Sequence, residues 1–399
     1  MENKQKVLIV HNYYQIPGGE DTVVANEKKL LEEHGHQVVL YTRSNQELNG
    51  MNKLKKLLLP FATIYNPRTA REIKRIIQEQ GINIVHVHNT LFLVSPAVYY
   101  AALKCGVPVV QTIHNFRLLC PGATFYRGGH ICEDCLKDGL RCAVRHSCYR
   151  NSKAQTLMCV IATKIHRMTG IYGKLHYIAL TDFNKEKLLN LKQIRQENVF
   201  VKPNFVDGKP GQNDRDGFIF AGRIDKLKGI DVLVGAWKLM GADAPRLTIC
   251  GTGPMEEWCA AQIKEHGLNA EMKGFVENAQ VKKLLARSKA LVLPTMWYEG
   301  FPMSIVEAYS VGTPVICSDL GNAGAVVEEG VTGWKFEAGS AQGLAKAVQN
   351  WTDISGSVKQ TYFERYTAEA NYEYLADIYG QILSSNIPKD RQAYLNAEG

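Results

Sequence analysis

Ala290-Leu291-Val292-Leu293-Pro294 is followed, across residues 295–298, by Glu299-Gly300-Phe301-Pro302-Met303-Ser304-Ile305-Val306-Glu307. The first run is apolar throughout, as a strand buried on both faces of a parallel sheet must be. Ser304-Ile305-Val306-Glu307-Ala308-Tyr309-Ser310 reads as a helix. A strand that enters a helix through a loop is half of a crossover unit. One carboxylate, Glu299, falls in the loop, and a second, Glu307, in the first turns of the helix. Between them the amides of Gly300, Phe301, Met303 and Ser304 lie near a helix N-terminus, where unpaired N–H groups attract anions. Pro302 has no N–H to give. Carboxylates accept hydrogen bonds from hydroxyls, and helix-end amides hold phosphate. A ligand rich in both is a nucleotide sugar.

The same alternation extends through both halves of the chain. Strand-like runs fall at Lys6–Asn12, Gln37–Thr42, Ile84–His88, Pro108–His114 and Tyr177–Leu180, then at Gly217–Gly222, Leu247–Gly251, Ala270–Phe275, Ala290–Pro294 and Pro314–Ser318. Helical patterns separate them. Two such series predict an α/β protein of two Rossmann-like domains, as the length of 399 residues also suggests. The turn-rich segment Pro203–Asp216 divides them. The expected units are residues 1–205, a linker at 206–216, residues 217–365 and a helical tail at 366–399, where Ala370, Tyr374, Ile378 and Ile382 recur every four residues. Asp214-Arg215-Asp216 looks like the acid pair of a metal-dependent transferase, but its place in the linker makes it turn chemistry.

Charged residues make up 22% and hydrophobic ones 45%, an ordinary globular balance. The formal net charge of +8 favours acidic partners without choosing among them. No apolar run is long enough to span a membrane, and the polar start Met1–Lys6 does not read as a secretory signal. A cytoplasmic protein is expected. Lys53–Arg75 carries Lys53, Lys55, Lys56, Arg68, Arg71, Lys74 and Arg75 against the single acid Glu72. Lys137–Lys174 is similarly basic, and Leu57-Leu58-Leu59-Pro60-Phe61 lies inside the first stretch. Such a mixture suits either a solvated helix face or a surface resting on anionic lipid. No nucleic-acid-binding motif is present.

Further candidates fall where strands end. Gly222-Arg223-Ile224-Asp225-Lys226-Leu227-Lys228-Gly229 follows a strand, and in open α/β sheets ligands bind there. Arg223 can fork onto two phosphate oxygens and Lys228 adds a point charge, both from a loop expected to be exposed. Pro17-Gly18-Gly19-Glu20 leaves the first strand, its glycines allowing close approach to an anion. His114 ends another strand and should face the opening between the domains. Gly251-Thr252-Gly253-Pro254 lacks the third glycine of a dinucleotide fingerprint, since Glu256 stands in its place.

Taken together, these residues resemble a family 4-type glycosyltransferase of GT-B architecture. The resemblance covers nearly the whole chain. It rests on Gly18-Gly19, Gln111–Asn115, Gly222-Arg223 with Lys228-Gly229, Gly251–Pro254, Gly274-Phe275-Val276 and the two glutamates Glu299 and Glu307. It implies two domains facing across a cleft, with the C-terminal helix returning to the first. It also implies a nucleoside diphosphate sugar donor, and retention without a protein nucleophile or a required cofactor. Glu299 with the Phe301 and Met303 amides would hold the donor sugar, and Glu307 the ribose. Arg223 and Lys228 would stabilise the leaving diphosphate, and Gly274, Phe275 and Val276 would border the base. Gly18 and Gly19 would close over the phosphates, with His114 near the reacting carbon. The acceptor expected is a glycan or lipid-linked oligosaccharide in surface polysaccharide assembly. A GT-B-shaped phosphorylase, an epimerase or a non-catalytic sugar-nucleotide binder is the alternative.

Of the ten cysteines, Cys250 and Cys317 sit in strand-like runs and read as core residues. Five others, Cys120, Cys132, Cys135, Cys142 and Cys148, crowd an insertion at about 116–150. Cys132 and Cys135 have the two-residue gap of a zinc knuckle, with Cys120 and Cys148, or Cys142, to complete it. His130 and His146 are alternative ligands, an iron–sulfur cluster is a second option, and a metal-free reduced insertion is a third. The insertion follows His114 and is expected to shape the acceptor site.

Overall fold

The computed structural model describes residues 4–15, 18–211 and 214–386; the side chains of residues 53–56 lie outside that description. Pro17 and residues 387–399 of the expected tail are likewise outside it. In chain order the strands are β1 Lys6–Tyr13, β2 Gln37–Ser44, β3 Ile84–Val87, β4 Val109–Ile113, β5 Tyr126–Arg127, β6 His130–Ile131, β7 His176–Ala179 and β8 Val199–Val201. The second half adds β9 Phe218–Ala221, β10 Leu247–Cys250, β11 Ala270–Gly274, β12 Ala290–Leu293, β13 Val315–Ser318 and β14 Gly333–Phe336.

Two six-stranded sheets result, ordered β2-β1-β3-β4-β7-β8 and β11-β10-β9-β12-β13-β14. Their strands pair in parallel. Each sheet is buried on both faces, which is why its strands are apolar at successive positions. In β1, Leu8 and Val10 join one core cluster, while Val7 and Ile9 join another on the opposite face. In the second sheet the strand order reverses between β9 and β12, and ligands of open α/β sheets bind at such a reversal. The Arg223–Lys228 turn leaves β9 and the Glu299 loop leaves β12, so both open at that point.

The helix Ala368–Ser385 packs on the first sheet: Leu375, Ile378 and Ile382 share a cluster with Val7, Ile84 and Val110. Tyr374, expected among its inward residues, is instead exposed. A strict four-residue repeat drifts around a helix of 3.6 residues per turn, and Leu375 takes the inward place. Cys250 and Cys317 are buried in the second domain's core. Among its described residues the linker carries no regular element, and Arg215 fastens it to the second domain through the carbonyls of Ser288, Val311 and Gly312 at 2.9–3.1 Å. Among the described residues no helix is long and apolar enough to cross a membrane.

Candidate active site

After β9 the chain turns through residues 222–229 into the helix Ile230–Met240. Gly229 has φ +71°, and a Cβ there would lie 1.8 Å from the Pro294 carbonyl oxygen at the end of β12. Glycine alone lets the two loops approach so closely. Lys228 is thereby set beside Glu299, with Nζ 2.7 Å from Oε1. Thr295 Oγ1 donates to the same oxygen at 3.0 Å. Glu299 is buried, and the Lys228 side chain is only 24% exposed. The exposed position expected for Lys228 is therefore corrected: pairing with a buried carboxylate draws it inward. Arg223 does project outward, 68% exposed, with Nε 3.1 Å from Asp225 Oδ2.

Arg223, Glu307, Phe275 and Val276 share a cavity of about 720 Å³ with Gly251–Pro254. Glu307 accepts a hydrogen bond from Asn278 Nδ2 at 2.6 Å. Gly274 ends β11 with φ +63°, and its carbonyl accepts from Gly251 N–H at 2.7 Å. The helix behind Glu299 runs from Met303 to Tyr309, with half-buried Ser304 in its first turn.

A second cavity of about 240 Å³ lies between the domains, lined by Gly18, Gly19, His114, Gly300, Phe301 and Met303 among others. A Cβ on Gly300 would stand 2.3 Å from the His114 carbonyl oxygen, so the domains touch backbone to backbone. The Gly18 amide is already engaged by Asp21 Oδ2 at 3.0 Å, which leaves the Gly19 turn more open to an anion. His114 Nε2 lies 2.9 Å from His88 Nδ1, and burial, aided by His88, holds its pKa well below the ordinary value. Glu20, behind the glycines, is pushed up to about 7 by burial and by Asp21.

Sequence reasoning missed the residues that hold the Glu299 loop. Buried Asn322 donates to the Gly300 carbonyl and to Asn184 Oδ1, both at 2.8 Å, and accepts from Thr181 Oγ1. Asn184 also donates to the Gly300 carbonyl at 3.1 Å. One loop is thus tied into both domains by lone polar residues that carry no periodic signal.

The cysteine insertion folds as the β5–β6 hairpin and two short helices, Asp134–Lys137 and Arg141–Arg145. A Cβ on Gly122 would meet both Cys120 Sγ and Cys148 Cβ, which places those two together. Burial and then Cys120 push the Cys135 thiol up to about 12. A tetrahedral zinc site would put its sulfurs about 3.8 Å apart. Among the described residues the groups of three potential ligands with donor atoms within 4.8 Å of one another are Glu27/His86/His88 and His11/Glu20/Asp21; the cysteines form no such group. Glu133, inside the two-residue gap, accepts from Lys187 Nζ at 2.5 Å and from Tyr298 OH at 3.1 Å. The insertion therefore reaches across the cleft to the neighbour of Glu299.

With this geometry, two family models match in sequence: Glycosyltransferase Family 4 over residues 17–209 and Glycosyl transferases group 1 over residues 203–369. The chain belongs to glycosyltransferase family 4. An uncharacterized glycosyltransferase of Methanocaldococcus jannaschii is 27% identical over 377 residues, 84% of this chain and 87% of that protein. An amylovoran biosynthesis glycosyltransferase of Erwinia amylovora is 28% identical over 132 residues, 31% of this chain and 32% of its own length. A glycosyltransferase structure from Rickettsia africae matches this glycosyltransferase with TM-score 0.65 at 17% identity, covering 96% of this chain and 99% of that one. The Anabaena protein HepE, solved in complex with UDP, matches with TM-score 0.63 at 18% identity, covering 94% and 100%. These structures share the GT-B fold.

Proposed function

We propose that this glycosyltransferase retains configuration, needs no divalent metal, and moves a sugar from a nucleoside diphosphate to a glycan or lipid-linked oligosaccharide. The observation that carries the donor half is the 2.7 Å pair of Lys228 and Glu299, with Arg223 and Glu307 on the neighbouring cavity. In the free protein Lys228 and Glu299 satisfy each other. A donor can replace both halves at once, its diphosphate taking Lys228 and its sugar hydroxyls taking Glu299. As the glycosidic bond breaks, negative charge gathers on the diphosphate. Cations fixed at that point stabilise the transition state more than the ground state. The departing phosphate oxygen takes the acceptor's proton, so no protein nucleophile is needed. Glu307 is assigned to the ribose, Gly274 to Val276 to the base, and Gly18 and Gly19 to the phosphates. HepE, solved with UDP and with UDP-glucose, supports a nucleotide-sugar donor, and the amylovoran relative supports polysaccharide assembly.

The proposal places the protein at the cytoplasmic face of a membrane. Leu57, Leu58 and Phe61 stand exposed on the helix Lys53–Ile64, and Leu157, Ile161, Ile165 and Met168 stand exposed along the helix Lys153–Met168, which packs against it. Their spacing of four, four and three residues makes one stripe. Apolar residues exposed beside a basic stretch suit anionic lipid. A structural zinc held by Cys120, Cys132, Cys135 and Cys148, or Cys142, completes the proposal and requires those sulfurs to close in.

A thermal-shift screen of nucleoside diphosphate sugars tests the donor. Binding to the folded state alone raises stability by ~2.7 kcal/mol at a hundredfold excess over Kd. Product analysis with and without a glycan acceptor then separates transfer from phosphorolysis or epimerisation. A ligand that binds and never turns over would favour the non-catalytic alternative.

A further inference from the structure

Behind the cleft, the first domain buries a chain of charged and titratable groups that leads from its core to His114. Glu27 lies on the core-facing stripe of the helix Gly19–Glu33, among Val23, Val24, Leu30 and Leu31, with no solvent exposure. Its Oε1 takes Lys202 Nζ at 2.7 Å, and Lys202 is buried too. Its Oε2 faces His88 Nε2 at 3.3 Å, a contact short of hydrogen-bond geometry, and neither of these atoms has a hydrogen-bond partner. His88 Nδ1 lies 2.9 Å from His114 Nε2. His114 is the last link and the one that reaches the cavity beside Gly300.

The direction of every proton in this chain follows from its buried end. Burial, the largest single influence, would by itself raise the Glu27 pKa, but Lys202 together with His88 and His86 outweighs it and holds the carboxyl well below its usual range. An ionised carboxylate only accepts, so His88 carries its proton on Nε2. Glu27 and Lys202 already cancel in charge. A second proton on His88 would leave an uncompensated cation in the core. Neutral His88 therefore offers a lone pair at Nδ1, and His114 must donate to it from Nε2. Neutral His114 is left with a lone pair at Nδ1, which accepts no hydrogen bond from the described residues.

We propose that Glu27 and His88 are positioning residues that lock His114 in the tautomer protonated on Nε2, so that its Nδ1 accepts a hydrogen bond from a hydroxyl or N–H of the bound sugar. A cation held by Glu27, His86 and His88 is the competing use of these groups, since their donor atoms lie close together. Both His86 nitrogens are already engaged, by Tyr379 OH and Thr112 Oγ1 at 2.8 Å each, and the Lys202 ammonium occupies the carboxylate. The relay rests on the proposed function only for what His114 Nδ1 meets; the tautomers exist without substrate.

Long-range nitrogen–proton NMR of the histidine rings reads each tautomer directly. In the unmodified protein at pH 7, His88 and His114 are both expected with the proton on Nε2. In Glu27→Gln, Lys202 keeps the side-chain oxygen and turns the amide NH2 toward His88 Nε2. Every proton in the chain then reverses, placing one on His114 Nδ1. Turnover should fall about tenfold or more, the loss of one hydrogen bond turned against its partner, with nucleoside diphosphate binding unchanged. A proton on His114 Nδ1 in the unmodified protein, a doubly protonated His88, tautomers unmoved by Glu27→Gln, or full turnover after their reversal would each overturn the proposal. If Glu27→Gln fails to fold, the spectrum of the unmodified protein still decides. Absence of any donor binding by the unmodified protein would strike the donor reading instead and leave the tautomer assignment standing.

Discussion

The backbone of Gly300 runs so close to His114 that a Cβ would stand 2.3 Å from the His114 carbonyl oxygen. This is the point at which the loop carrying Glu299 meets the strand end carrying His114, one from each domain. Gly300→Ala should therefore separate the two sides of the cleft. Overpacking of this kind costs ~1–3 kcal/mol. Turnover is expected to fall at least about tenfold while the melting temperature drops only slightly, because the loop can yield without disturbing either sheet. Unchanged turnover would show that the closed approach of the domains has no part in the reaction.

Acid stability should depend on buried histidines. Burial holds His11 at about 4 and His86 at about 3, against an ordinary 6.5. Between those values and 6.5 the unfolded chain binds protons that the folded chain refuses, so stability rises with pH through this window. Glu20, raised to about 7 by burial, acts in the opposite sense between 4.5 and 7. Two histidines outweigh one half-buried carboxyl. The urea midpoint should thus be lower at pH 4.5 than at pH 7, and Glu20→Gln should steepen the rise. A flat midpoint across that range would contradict the buried, neutral state of both rings.

Membrane contact is tested by sedimentation with vesicles of anionic lipid. Leu57 and Phe61 are 71% and 70% exposed, so replacing both by serine should leave the melting temperature within a degree or so. Binding should weaken severalfold and fall further with salt. Equal binding by the double variant would assign those residues to solvent alone.

The cysteine insertion makes a separate prediction about metal. The purified protein should hold one zinc per chain, and chelation should lower its melting temperature and alter acceptor preference through the Glu133–Tyr298 contact. Protein free of zinc, or Cys132→Ser with Cys135→Ser leaving both properties untouched, would return the insertion to a metal-free thiol cluster.

Much of the architecture was readable because it rests on burial at regular periods. The ten long strand-like runs all became strands of the two sheets. What escaped was short or mixed: Val199–Val201 has only three residues to show, and Trp334-Lys335 breaks the apolar character of the Gly333–Phe336 strand. The β5–β6 hairpin is two residues on each side, below any periodic signal. In the site, charged and glycine residues at strand ends were legible because sheet topology sends those ends to one place. Asn322 was not, since its function is to fasten the Gly300 carbonyl across chain-distant elements. Glu27 left a trace that could have been followed. It occupies a core position between Val23-Val24 and Leu30-Leu31, where an unpaired charge would not be tolerated, so a distant cation was required.

The account depends on the cations of the β9 loop and the carboxylates near β12 meeting on one activated sugar. The direct measurement compares Arg223→Ala and Lys228→Ala with the unmodified protein. It follows turnover, melting temperature and affinity for the selected nucleoside diphosphate and for its parent nucleoside. Turnover should fall on the order of 10²–10³-fold, about 3–4 kcal/mol of transition-state stabilisation. Affinity for the diphosphate should weaken while that for the nucleoside holds. Arg223→Ala should melt as the unmodified protein does, and Lys228→Ala somewhat lower, because buried Glu299 loses its partner. Full turnover with unchanged diphosphate affinity in both variants would contradict the account.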